Sequence, residues 1–204
     1  MTRRRAFLTW LGTAAAAAAV DVRELRAEPA SASEWDTSWL GSLTEAKYRA
    51  VFNATDVSDG VVLDYASSFM EGFREAHATD DRDTRAVVVF RRMGTPIAFG
   101  DAVWERYAVG ESAHITDPAT RAPARRNPFA VRLDAMRRRG MISLVCNVAM
   151  GNWSRTLAEK TQQDPDAVRR DVAANLVSGA ILVPSGVYAL IRAQNAGCAY
   201  MTGA

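Results

Sequence analysis

The chain has 204 residues, a formal charge of +2 and two cysteines, Cys146 and Cys198, so a disulfide-stapled scaffold is excluded. All of Arg3, Arg4 and Arg5 lie in the first 20 residues, with no acid beside them. Removing those three arginines takes +2 to −1, so the basic balance belongs to the N-terminus and gives no basic footprint for a nucleic acid.

The N-terminus reads as an export signal. Arg4-Arg5 leads through Ala6 to Phe7-Leu8, and an apolar, alanine-rich stretch runs to Val20. That stretch is shorter than the roughly 20 residues a membrane span needs, and Asp21, Arg23 and Glu24 follow it. The Arg-Arg-x-Phe-Leu pattern is that of a twin-arginine signal and predicts a periplasmic protein. Cleavage is allowed near residue 19 or after residue 32, and no cysteine there offers a lipid anchor. The expected organisation is a signal and lead over 1–32, then one domain over 33–204.

After a polar lead to residue 44, residues 48–53 read as a strand. Residues 57–78 carry Val62, Phe69 and Phe73 at helical spacing, with Asp56 or Ser58 as the cap. The uninterrupted run Ala86-Val87-Val88-Val89-Phe90 is that of a strand buried on both faces, hence of a parallel sheet. A short helix over 97–107 is expected next, then a long irregular loop over 108–127, too long for an ordinary connection. A helix over 128–139 ends in Arg137-Arg138-Arg139, cations suited to a helix C-terminus. Residues 141–146 form the third strand. Two helices follow; the second has Asp164 as N-cap, Pro165 at its first position and Gly179 as its stop. Residues 180–183 are the fourth strand, Pro184-Ser185 opens a last helix closed by Gly197, and residues 198–201 form a short fifth strand.

Strands alternating with helices predict an α/β fold: three layers, with a mainly parallel five-stranded sheet covered on both faces, Rossmann- or flavodoxin-like. Ligands in such folds bind beyond the carboxyl ends of the strands. The candidate residues are therefore Asn53 after the first strand, Arg91 and Arg92 after the second, Cys146 and Asn147 after the third, and Ser185 after the fourth. His114 joins them from the long loop. Asp56 and Asp59 at the first turn would repel a phosphate, so no nucleotide or flavin is expected there. His77 and His114 have no metal-ligand spacing with the cysteines, and no cofactor or metal is expected. A cysteine ending a buried strand before a helix can be a reactive thiolate, or a small buried hydrophobe; position alone leaves both readings open for Cys146. Cys198, among apolar residues, reads as core.

From Tyr48 onward the chain resembles the DsrE/DsrF-like family. The resemblance is carried by Gly179-Ala180-Ile181-Leu182-Val183-Pro184-Ser185-Gly186-Val187-Tyr188, by Gln194-Asn195-Ala196-Gly197-Cys198-Ala199-Tyr200, and by the third strand ending in Cys146. It implies a Rossmann-like fold, a homo-oligomer and a role in sulfur relay. The third-strand cysteine would carry a persulfide and exchange sulfur with a donor or acceptor protein. The long loop is an addition to the minimal fold of that family. The alternative is a non-catalytic, homo-oligomeric module for a small ligand or a protein, with Cys146 buried and inert.

Overall fold

The computed structural model describes residues 35–203; the expected signal peptide and both cleavage points lie outside the described residues. In chain order the elements are α1 (Trp39–Glu45), β1 (Tyr48–Ala54), α2 (Val61–His77), β2 (Thr84–Phe90), α3 (Asp101–Arg106), α4 (Val109–Ser112) and α5 (Ala130–Arg138). Then come β3 (Ile142–Cys146), α6 (Asn147–Thr161), α7 (Pro165–Ala174), β4 (Ala180–Val183), α8 (Gly186–Asn195) and β5 (Ala199–Thr202).

All five strands are parallel, in the order β4-β3-β2-β1-β5. The apolar runs predicted this arrangement because a strand covered on both faces cannot alternate apolar with polar residues. On one face Phe52, Val88, Phe90 and Val145 pack against α2, α3, α5, α6 and α7. On the other, Val51, Val87, Val89 and Leu144 pack against α1 and α8 through Trp39, Leu43, Ala189 and Ala193. The protein is thus a three-layer α/β fold.

Topology locates the crevice. From β1 to β4 the chain steps one way across the sheet, with its helices on the first face; α8 then returns it across the second face to lay β5 beyond β1. Adjacent strands β3 and β4 therefore feed helices on opposite faces, the switch point at whose carboxyl ends folds of this kind place their crevice.

Several local expectations need correction. The polar lead to residue 44 contains α1, whose Trp39 and Leu43 are buried. Residues 97–107 are not one helix. Arg92–Ala98 is a 3-10 stretch containing Pro96, which has no N–H for a helical ladder, and only Asp101–Arg106 is α-helical. Neither Asp56 nor Ser58 caps α2: the Asp56 carboxylate accepts from the Ser58 N–H at 3.1 Å ahead of a 3-10 turn at Ser58–Gly60, and α2 itself starts after Gly60 with no side-chain cap. Asp164 and Pro165 do open α7, but the helix ends at Ala174, because Leu176 bridges to Phe99. Gly179, at φ 74°, instead turns the chain into β4.

The segment 108–127 is ordered by one internal bridge and by bonds that tie its end to the chain before it. It holds α4 and a Thr116–Pro123 bridge, and it ends on the buried Asn127. The Asn127 Nδ2 donates to the Ile97 and Phe99 carbonyls at 2.8 and 2.7 Å, and the Asp101 carboxylate accepts from its backbone N–H at 3.0 Å. Gly110 is needed for close approach: a Cβ there would lie 2.2 Å from the Ala124 carbonyl oxygen.

Candidate functional site

Register builds the site at the gap. Cys146, the last residue of β3, lies beside Val183, the last of β4. Each strand then turns at once into a helix, so two helix N-termini meet the crevice. Cys146 is itself the N-cap of α6, its Sγ accepting from the Ala149 N–H at 3.4 Å. Ser185 is the N-cap of α8, its Oγ accepting from the Tyr188 N–H at 3.1 Å. The unpaired N–H groups and partial positive charge of both ends favour a negative group between them.

Arg91 adds a cation. Its aliphatic stem crosses to α8: a Cβ built on Gly186 would lie 2.9 Å from the Arg91 Cδ, so a larger residue at 186 would displace the arginine. Among the described residues the Arg91 guanidinium makes no hydrogen bond or ion pair. Arg92, in the left-handed region at φ 52°, serves through its carbonyl, which accepts from the Trp153 Nε1 at 2.9 Å and the Thr95 hydroxyl at 3.0 Å. Asn147, the first residue of α6, is held by Arg169 of α7, whose guanidinium donates to its Oδ1 at 2.9 Å.

Two open cavities flank the first turns of α6. One, of about 320 Å³, lies between Arg92, Met93, Ala149 and Trp153. The other, of about 400 Å³, lies between Asn147, Val148, Arg155 and Arg169. Asn152 borders both. Cys146 is 6 % exposed, beneath that turn, while Met93 and Val148 stand out at 48 % and 57 %.

The sequence candidates therefore divide. Cys146, Asn147, Ser185, Arg91 and Arg92 cluster at the β2, β3 and β4 ends. Asn53 does not join them: it is buried at the end of β1, and its Nδ2 donates to the Tyr200 hydroxyl at 3.0 Å, on β5. His114 is exposed at φ 55° in the long segment, and its side chain makes no hydrogen bond or ion pair among the described residues. Trp153, Met93 and Arg169 border the site but were missed. Only Met93, an apolar residue stranded just after a strand, carried a local signal.

Cys198 is buried in the second-face core, and burial pushes its thiol up to about 11 against the opposing pull of Arg49. The two cysteines are both free. Cys198 precedes β5 whereas Cys146 ends β3, with β1 and β2 between them. Three strand spacings of about 4.8 Å already exceed the Cα separation a disulfide spans.

Among the described residues no group of three or more His, Cys, Asp or Glu could hold a metal ion, and no helix is long and apolar enough to cross a membrane. No family model and no curated protein matches the chain. Among solved structures it is similar to MTH1491, a protein of unknown function from Methanobacterium thermoautotrophicum. The two share 18% identity at a TM-score of 0.45, over 76% of this chain and 98% of that one.

Proposed function

We propose that the protein is an exported sulfur carrier, with Cys146 as the persulfide-bearing thiol. The observation that carries the reading is the place of Cys146, as N-cap of the 15-residue α6 at the β3/β4 gap, with Arg91 and the start of α8 beside it. The N–H groups at the two helix starts and the Arg91 guanidinium offer donors and a cation to the anionic sulfur of an incoming donor. The resemblance to the DsrE/DsrF-like family supports the same residue for the same task.

The chemistry is an exchange without net oxidation. The Cys146 thiolate attacks the outer sulfur of a donor persulfide, forming the Cys146 Sγ–S bond as the donor S–S bond breaks and the donor leaves as a thiolate. An acceptor thiolate then takes the outer sulfur in the same way and frees Cys146. The donor and acceptor are proteins or small thiols met after export by the twin-arginine route, in a compartment where a free thiol must be shielded. Burial at 6 % provides the shield and requires the first turn of α6 to yield slightly for each exchange.

That same burial favours a second reading, a binding module in which Cys146 is inert packing. Mass spectrometry of the native protein after incubation with inorganic polysulfide separates them. The carrier gains mass in whole sulfur atoms at Cys146, none in Cys146→Ser, and loses it to excess thiol. A native Cys146 that takes up no sulfur, and is alkylated only after denaturation, ends the carrier reading.

A further inference from the structure

A cavity of about 870 Å³ lies over the first face at the β1/β5 edge, whereas Cys146 ends β3, beyond β2. Its floor is the row of first-face residues on two strands, with Ala50 and Phe52 level with Ala199 and Met201. Its wall is α2, which packs on β1 and β2 and leaves all four residues of β5 exposed. Four rings run along this groove. Tyr48 and Phe73 lie 4.3 Å apart, Phe73 and Phe69 5.1 Å, and Phe69 and Phe52 6.1 Å, centroid to centroid. Phe69 and Phe73 are half-buried, and Tyr65 and Met201 are 43 % and 49 % exposed at the rim. An aromatic surface left this open marks a place that something else covers.

The charge of the lining says what kind of group that is. No carboxylate lines the groove. Where β1 begins, the Lys47 ammonium stands 5.1 Å over the Tyr48 ring, and among the described residues it makes no ion pair or hydrogen bond. Arg49, the other cation of the lining, is engaged under the second face, where its guanidinium donates to the Leu43 carbonyl at 2.9 Å. Lys47 is left to set the charge of this end. Beyond the two cations the polar side chains of the lining are hydroxyls, those of Ser68, Thr202 and the tyrosines.

We propose that the groove binds a monomeric fatty-acid-type anion, its carboxylate at Lys47 and its alkyl chain along Phe73, Phe69 and Met201. One cation followed by a run of rings matches one head followed by one tail. From Tyr48 to Phe52 the floor gives that tail about 13 Å at 3.3 Å per residue. A peptide fits less well. Each of its residues would bring an N–H and a C=O over aromatic carbon, where burial without a partner is costly. The outer edge of β5 does not relieve this, because its N–H and C=O groups point along the plane of the sheet and the groove lies above the first face.

Equilibrium dialysis of the purified full chain against laurate, kept below its micelle concentration, tests the inference. Laurate should bind saturably, one per chain, and dodecyltrimethylammonium, with the same tail and the opposite head, about tenfold more weakly. Lys47→Glu should reverse that order, a result that loss of the fold cannot give. Met201→Glu, at an exposed position, should abolish laurate binding with an unchanged circular dichroism spectrum. If that variant unfolds, Tyr65→Glu on α2 takes its place. Val131→Glu, 81 % exposed on α5, should bind laurate as the parent does. The proposal is overturned if monomeric laurate does not bind, including the case in which the protein instead floats with phosphatidylglycerol vesicles or takes up an apolar peptide. It is equally overturned if the two head groups bind alike, if Lys47→Glu leaves their order unchanged, or if the rim variants bind laurate as the parent does.

Discussion

Asp171 shows how a single carboxylate can hold this fold together. It sits on α7 and pairs with Arg106 of α3; the Tyr107 hydroxyl donates to it at 2.8 Å and the Asn175 amide at 3.1 Å. Burial pushes its carboxyl up, but the hydrogen bonds from Arg106 and Tyr107 outweigh burial and hold it below the usual 3.8. A carboxyl depressed in the folded state adds stability above its unfolded value, and that stability is lost as pH falls through the folded value. The side chain is 26% exposed, so solvent screens the pair and the lower end of the range for charged hydrogen bonds applies. Asp171→Asn should therefore cost about 1–2 kcal/mol at pH 7. In urea titrations the gap to the parent should shrink as the pH is lowered below 3.8. An equal gap at pH 7 and pH 3 would show that shape, not charge, is what α7 needs here.

The residues of the candidate site were legible to different degrees for a similar reason. Cys146, Asn147, Arg91, Arg92 and Ser185 could be found because a parallel sheet turns strand ends into one surface, and the strands themselves were written as apolar runs. Asn53 obeyed the same rule yet fell on the wrong part of that surface, since strand order is not written in any local pattern. Trp153 and Arg169 reach the site from the interiors of α6 and α7, where their spacing reads as ordinary helix faces. Tertiary packing alone aims them.

At the level of elements, the four strands with apolar runs and the capped α7 were local facts, and the folded chain keeps them. α1 was not legible: Trp39 and Leu43 are its only buried residues, and Gly41, Ser42 and Thr44 are poor helix formers. It exists because those two side chains reach the second face of the sheet. Segment 108–127 looked irregular because its order is supplied from outside. Asn127 binds the carbonyls of Ile97 and Phe99, about thirty residues earlier in the chain. In Asn127→Ala both carbonyls would be left buried without a donor, and the Phe129 N–H would lose the Asn127 Oδ1 that accepts from it at 2.8 Å. The expected cost is about 2–4 kcal/mol. Hydrogen exchange should show the loss concentrated in the 108–127 segment and α3, with β1, β2 and β3 keeping their protection. Protection falling evenly across the molecule would mean the segment is part of the global folding unit.

At the scale of the whole molecule the cover of the sheet is unequal. Among the described residues the first face is packed by α2, α3, α4, α5, α6 and α7, the second by α1 and α8 alone. So few side chains shield Val51, Val87, Val89 and Leu144 that α1, though seven residues long, must matter more than its length suggests. Trp39 is 3 % exposed, and Trp39→Ala should cost about 3–5 kcal/mol, the range for emptying a buried aromatic site, read as a lower urea midpoint with an unchanged slope. The result bears on the proposed export. Cleavage after residue 19 or after residue 32 leaves α1 whole, so both are compatible with a finished domain, whereas a cut beyond Trp39 would strip the second face. Under the proposed export, the mature N-terminus, read by sequencing, is therefore expected before residue 39. A stable exported chain that starts after Leu43 would show that α8 alone can cover that face.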